Sequence, residues 1–269
     1  MIEKDDYFYP DKNDALTLKF ISEKQPFEGY WARSEQLILE RIKDSIHTYT
    51  RSKINTCFLD AGCGTGRLLP EFESYFDKML AVDPDEASLE IAKDTVRKFG
   101  FSKKVIFKNA SIEKLEWEKS SIDVILCSHV LQHVHTETLA SILAKFEQLL
   151  KNNGLVFITT CYSTKDYDFY AKMYQKNLEV VEEVIEQDEF NSLINNEMNI
   201  LPIHFFSKKT ILKMLHALSF EISDFKSFHV LNGMPLINHI VFRDKLVNSF
   251  PLLQSRLGRD MFIACRKPA

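Results

Sequence analysis

From about residue 53 onward, short continuous apolar runs alternate with longer stretches whose apolar residues recur every three or four positions. "NTCFLD" precedes a helical pattern from about Thr65, and "KMLAVD" precedes a helix over "DEASLEIAKDTVRKFG". The series continues through "KVIFKN", "IDVILCS", a helix around "TLASILAKFEQLLKN" ending at Gly154, and "LVFITTC". Apolar runs without polar alternation mark strands buried on both faces, and strands alternating with helices predict a parallel sheet covered on each side. In the helix over Asp85 to Phe99, the residues Leu89, Ala92, Val96 and Phe99 fall at helical spacing. Acids crowd its first turn and Gly100 supplies its stop.

Two later stretches break the alternation. Residues 163 to 203 read as an insertion with one long helix, its apolar stripe formed by Tyr170, Met173, Tyr174, Leu178, Val181, Val184 and Ile185. The six acids from Glu179 to Glu189 then make a solvated face or a lid that favours cationic substrates. Beyond them, "SKKTILKMLHALSF" predicts a helix with a serine cap, "FEISDFKSFHV" a strand, "NGMP" an irregular piece and "RDMFIACRK" a terminal strand. With no clear crossover helix between these last two strands, an antiparallel edge is expected.

Composition narrows the function classes. The chain has 269 residues, 45% hydrophobic and 27% charged, with net charge -4 and pI near 6.1, so no basic surplus points to nucleic acid. The acidic start "MIEKDDYFYP" and the lack of a bilayer-length apolar run predict a cytoplasmic protein without a membrane partner. Five cysteines without C-x-x-C spacing read as free buried thiols.

Candidate chemistry begins in "FLDAGCGTGR", where Gly62, Gly64 and Gly66 follow the first strand directly. Glycines there let backbone approach a ligand at the carboxyl end of a parallel sheet. The spacing is G-x-G-x-G and not the G-x-G-x-x-G of a pyrophosphate-binding turn. The second strand ends in Asp83, 21 residues after Gly62, where a carboxylate can accept both hydroxyls of a ribose. Loop and acid together describe a nucleoside pocket, which disfavours a nicotinamide oxidoreductase.

These residues resemble the class I S-adenosylmethionine-dependent methyltransferases, particularly their small-molecule branch. "LDAGCGTGRLLP" is similar to the family's first motif, "AVDPD" to its ribose-binding acid, "NASIEKLEW" to its adenine segment, and "SIDVILCSHVLQHV" to its fourth-strand motif. The resemblance covers residues 53 to 162 strongly and 204 to 269 more loosely. It implies an α/β, Rossmann-like sheet in the order 3-2-1-4-5-7-6 with strand 7 antiparallel, helices on both faces, and the helical insertion after strand 5. One methyltransferase domain would span 1–269: an N-terminal cap (1–52), a cofactor-binding core (53–162), a helical lid (163–203) and the C-terminal part of the sheet (204–269).

The resemblance also implies S-adenosyl-L-methionine as cofactor, S-adenosyl-L-homocysteine as product and a small-molecule methyl acceptor as partner. By the same resemblance Asp60, Gly62, Cys63, Gly64 and Gly66 surround the methionine part, while Asp83 and Pro84 serve the ribose. Ser111, standing where the family often has an aspartate, and the backbone N–H of Ile112 face the adenine, with Leu115 and Trp117 as pocket walls or core. Cys127 and Ser128 close the fourth strand beside the cofactor. Tyr30 covers the site and Arg33 pairs with the cofactor carboxylate. Tyr7, Tyr9, Tyr170, Tyr174 and Phe206 are candidates for an apolar acceptor pocket.

"CSHVLQHVHTE" offers a competing metal reading, since His129 and His133 lie four apart. The fourth-strand assignment removes the single helical face it needs, so no metal is expected. His129 becomes the candidate catalytic base, and His133 and His135 structural residues. Two other function classes stay open: a methyltransferase for protein or RNA, and a cofactor-binding module without turnover.

Overall fold

The structure is a computed structural model that describes residues 30–176, 179–194, 200–230, 240–254 and 256–269. Five parallel strands, β1 (Cys57–Ala61), β2 (Lys78–Asp83), β3 (Val105–Asn109), β4 (Ile122–Ser128) and β5 (Leu150–Ser163), lie in the order β3-β2-β1-β4-β5. Beyond β5 the terminal strand β10 (Asp260–Arg266) pairs antiparallel, and β9 (Glu221–Phe228) pairs antiparallel with β10. That is the expected order 3-2-1-4-5-7-6 with a reversed seventh strand.

Both faces of the sheet are covered. On one lie α1 (Tyr30–Thr50), the short α2 (Leu69–Phe72) and α3 (Glu86–Phe99), burying Ile42, Ile46, Phe58, Phe72, Leu89 and Val96 in one cluster. On the other, α4 (Leu139–Leu149) packs Ile142, Leu143 and Phe146 against Leu59, Ile125 and Ile158. Neighbours Phe58 and Leu59 thus serve opposite layers, which is why β1 carries no polar alternation.

Local signals explain the ends of α3. Asp85 caps it by accepting from the N–H groups of Ala87 and Ser88, and Gly100 closes it at φ 82. Phe99, expected on its buried stripe, is 60% exposed. Two helix limits also differ from expectation. The loop after Gly66 becomes helical only at Leu69, because Gly66 is left-handed and Pro70 starts the short turn. Helix α4 stops before Leu150, which already pairs with Ile122, and Asn153 takes the left-handed turn at φ 62.

The insertion is not a helix. It forms β6 (Phe169–Lys176) and β7 (Glu179–Ile185) as a hairpin, then α5 (Gln187–Leu193) and β8 (Ile200–Ser207), in the order β8-β6-β7. β6 carries apolar side chains on both faces: Phe169, Ala171 and Met173 pack with Leu201 and Phe205, while Tyr170 packs with Ile185, Phe190 and Leu193. A strand buried on both faces has no clean period, so its residues also fit a helical stripe. Three of the six acids in the run are paired: Glu183 and Glu189 with Lys172, and Glu182 with Arg259. After β8, Ser207 caps α6 (Lys208–Ala217) as its sequence predicts, accepting from Thr210 N–H. A further helix, α7 (Ile240–Ser249), precedes β10. The "NGMP" stretch, Tyr7, Tyr9 and Leu178 lie outside the described residues. Among the described residues no helix is long and apolar enough to cross a membrane.

Candidate active site

The carboxyl ends of β1, β2 and β4 converge with the ends of β5, β9 and β10. After β1 the chain turns through three left-handed glycines, with φ 79, 51 and 72 at Gly62, Gly64 and Gly66. Their surroundings differ. A Cβ on Gly62 would meet Val130 Cγ2 at 2.3 Å and one on Gly66 would meet Ala92 Cβ at 2.9 Å, but nothing lies within 4 Å of one on Gly64. Gly62 and Gly66 are therefore required by packing, and Gly64 borders open space.

Asp83 ends β2, where its carboxylate accepts the N–H of Gly64 at 2.8 Å and of Asp85 at 2.9 Å. The loop and the acid are thereby fixed to one another. Pro84 follows, half-buried, its carbonyl accepting from Asn109 Nδ2. Cys63 is buried, with a long Sγ contact to the Gly64 carbonyl.

Asp60, at the end of β1, is 2% exposed, and its Oδ2 has no hydrogen-bond partner. Burial, reinforced by the charge of Asp83, pushes its carboxyl up to about 7 against the opposing pull of Arg67. A buried carboxylate oxygen without a donor fits a cationic ligand group. Ser111 Oγ is likewise buried without a partner, in the segment after β3, whereas Ile112 and Leu115 belong to the core. Trp117 packs, partly buried, against that core beneath the ammonium groups of Lys78 and Lys108. Two orphaned polar atoms and an open glycine, at three of the positions carried over from the resemblance, are the features a nucleoside bearing an amino-acid tail would satisfy.

β4 ends in Cys127, fully buried, and Ser128, whose hydroxyl bonds that of Thr159 at 2.9 Å. His129 then turns the chain at φ 57, its N–H donating to Thr159 O at 2.8 Å and its half-buried ring lying edge-on to Phe228. Burial pulls its pKa below the ordinary histidine value, so the neutral ring is favoured. His133 points elsewhere: buried, it donates through Nδ1 to Pro202 O at 2.8 Å, and burial brings it down to about 4. Among the described residues no group of three His, Cys, Asp or Glu side chains is arranged to hold a metal.

Several neighbours were not foreseen. Gln132 bonds His129, His229 pairs with the buried Asp260, and Arg67 forms a bidentate pair with Glu35 of α1 at 2.8 Å on both arms. Burial would raise the Asp260 carboxyl, yet His229, His129 and Arg259 together hold it below its ordinary value. Only strand register joins His229 to Asp260, since Asp260 lies opposite Phe228, and no local motif announces it. Arg67, adjoining Gly66, carried the one available signal. The side chains of Tyr30 and Arg33, on the first turn of α1, lie outside the described residues. Of the aromatics expected to line an acceptor pocket, Phe206 is core, Tyr170 packs on Phe190, and the Tyr174 hydroxyl donates to Glu183.

A sheet ordered 3-2-1-4-5-7-6, with a glycine loop after its first strand and a carboxylate ending its second, is the architecture of a class I S-adenosylmethionine-dependent methyltransferase. Residues 52–198, more than half of the chain, match the family model described as a methyltransferase domain, and the chain belongs to that family. A ubiquinone biosynthesis O-methyltransferase of Rickettsia typhi is 31% identical over 130 residues, 48% of this chain and 49% of the relative. A protein-lysine N-methyltransferase of Saccharomyces cerevisiae is 24% identical over 144 residues, 49% of this chain and 62% of the relative. The chain thus spans about half the length of the curated relatives it matches. The solved Burkholderia thailandensis 1,6-didemethyltoxoflavin-N1-methyltransferase, bound to 1,6-didemethyltoxoflavin and S-adenosylhomocysteine, shares the fold with TM-score 0.53 and 16% identity over 90% of this chain and 84% of its own.

Proposed function

We propose that this chain transfers the methyl group of S-adenosylmethionine to an oxygen or nitrogen atom of a small metabolite by in-line displacement, releasing S-adenosylhomocysteine. The buried Asp60 Oδ2, which has no hydrogen-bond partner, together with the open space at Gly64, carries the reading. Asp60 takes the cofactor ammonium and the loop from Gly62 through Cys63 to Gly66 lies along its methionine part. Asp83, with Pro84, holds the ribose hydroxyls, and Ser111 with the Ile112 N–H meets the adenine. Cys127 and Ser128 wall the site, and Tyr30 and Arg33 close over it.

The cofactor supplies a methyl carbon already activated by its sulfonium, so the chain's task is to hold the acceptor in line with it and keep water out. Such orientation is worth about 7–11 kcal/mol, against roughly 10²- to 10⁴-fold from a positioned base. His129, at the end of β4, is the side chain proposed to meet the acceptor. The Rickettsia typhi relative supports a small acceptor. The Saccharomyces cerevisiae relative favours a protein acceptor, but Lys172 and Arg259 already pair with three of the six acids that would greet a cationic peptide.

Calorimetry with S-adenosylmethionine and S-adenosylhomocysteine tests the reading. The native protein is expected to bind both, and Asp83→Ala to bind about ten- to a hundredfold more weakly, as loss of hydrogen bonds to a charged group predicts. No binding by the native protein would refute it. Transfer of labelled methyl into the small-molecule rather than the macromolecular fraction of a lysate separates the two acceptor classes.

A further inference from the structure

Gln132 is 5% exposed, and its amide is wedged between two groups of fixed position. Its Oε1 accepts the backbone N–H of Cys161 at 3.1 Å, and its Nε2 lies 3.3 Å from His129 Nδ1. A backbone N–H can only donate, so the amide atom facing Cys161 is the oxygen and the one facing His129 is the NH2. An NH2 group has only hydrogens to give. Nδ1 of His129 therefore receives, bears no proton, and leaves the neutral ring protonated on Nε2.

The ring is held firmly in that state. Its backbone is left-handed, its N–H is bound to Thr159 O, and Phe228 lies against its edge. The charged and titratable groups that face it from the surrounding elements are Asp260, His229, Glu35, Arg67 and His133. None of these forms a direct hydrogen bond with Nε2 among the described contacts.

We propose that His129 meets the methyl acceptor as a hydrogen-bond donor through Nε2–H, and that Gln132 is the positioning residue that fixes this tautomer. The identity of the partner rests on the methyltransferase reading; the tautomer does not. A ring in this state takes no proton from the acceptor, because its one basic nitrogen is engaged by Gln132. The acceptor it fits presents an ionised or carbonyl oxygen at, or next to, the atom that is methylated. In the transfer, the acceptor's lone pair forms the bond to the methyl carbon, and the carbon–sulfur bond breaks with its pair remaining on sulfur. Any proton shed by the acceptor leaves by a route other than His129.

Nitrogen NMR of the full chain with isotope-labelled histidine rings, with and without S-adenosylhomocysteine, decides the matter. The His129 signals are identified by their loss in His129→Gln. In the neutral ring the expected native spectrum shows a protonated Nε2 and an unprotonated Nδ1. In Gln132→Glu the new carboxylate accepts from Nδ1–H, so the two nitrogens exchange character and the ring titrates at higher pH. A side chain that merely filled space would change neither. A native ring protonated on Nδ1 overturns the proposal even if Gln132→Glu fails to fold, and so does a folded Gln132→Glu with the native spectrum. Calorimetric binding of S-adenosylhomocysteine by the same samples reports on the methyltransferase reading separately, since the tautomer is read whether or not the cofactor product binds.

Discussion

Replacing each loop glycine by alanine should separate folding from ligand binding along five residues of chain. At Gly62 the new Cβ would stand 2.3 Å from Val130 Cγ2, 3.1 Å from Cγ1 and 3.3 Å from Cβ, so the whole branched side chain must move. Left-handed backbone at φ 79 adds about 1–2 kcal/mol to an overpacking cost of about 1–3 kcal/mol. Gly62→Ala should therefore lose roughly 2–5 kcal/mol, a fall in Tm of order 10 °C for a chain of this size. Gly64→Ala meets nothing within 4 Å and bears only the backbone cost, about 1–2 kcal/mol or roughly 2–8 °C. Its damage should fall on the ligand, since a methyl group there occupies the open cradle. Scanning fluorimetry reads both effects: S-adenosylmethionine at about a hundred times its Kd stabilises the native protein by about 2.7 kcal/mol, and that gain should vanish in Gly64→Ala but persist in whatever Gly62→Ala folds. A folded Gly64→Ala that shows the full native gain would refute the placement of the cofactor against this loop.

Two further perturbations address buried charge. Asp60, raised to about 7, stabilises the ligand-free fold while protonated, and that contribution, up to about 4 kcal/mol, is lost as pH rises from about 4 through 7. Asp60→Asn should flatten that pH dependence in thermal unfolding, and calorimetry should show native affinity for S-adenosylmethionine rising between about pH 6 and 8 while the variant's does not. Asp260→Ala leaves His229 buried without its carboxylate and should cost about 3–5 kcal/mol in urea unfolding; a loss under about 1 kcal/mol would mean that the pair is not part of the folded core.

What could be read along the chain follows from whether its cause is local. The runs of β1, β2, β4 and β5 are apolar on both faces, so their place in a parallel sheet is written in consecutive residues. The caps at Asp85, Gly100 and Ser207 likewise act within a few residues of themselves. β6 defeats the same logic, because Tyr170 and Ala171 are packed on opposite faces by segments distant in sequence. The site divides similarly. Asp60, the glycines and Asp83 stand together in sequence and in space, but His229 reaches Asp260 only through the antiparallel register of β9 and β10. Gln132 was within three residues of His129, yet its role depends on the Cys161 N–H, which belongs to another strand.

That dependence gives the turn from His129 to His133 a particular mechanical position. Thr159 O fixes its entry through the His129 N–H, the Cys161 N–H fixes its middle through Gln132, and Pro202 O fixes its exit through His133. Two of these anchors lie on β5 and the third on β8, so the inserted sheet and the main sheet both hold the turn. Val130, between the anchored residues, is the side chain that Gly62 must avoid. One five-residue turn therefore touches the glycine loop through Val130 and presents the His129 ring beside Phe228. A displacement of the glycine loop would press on Val130, whose backbone adjoins that of His129. In the methyltransferase reading, cofactor loop and acceptor contact are then coupled through a single residue, and Val130→Ala, which removes the contact while leaving all three anchors, should loosen both.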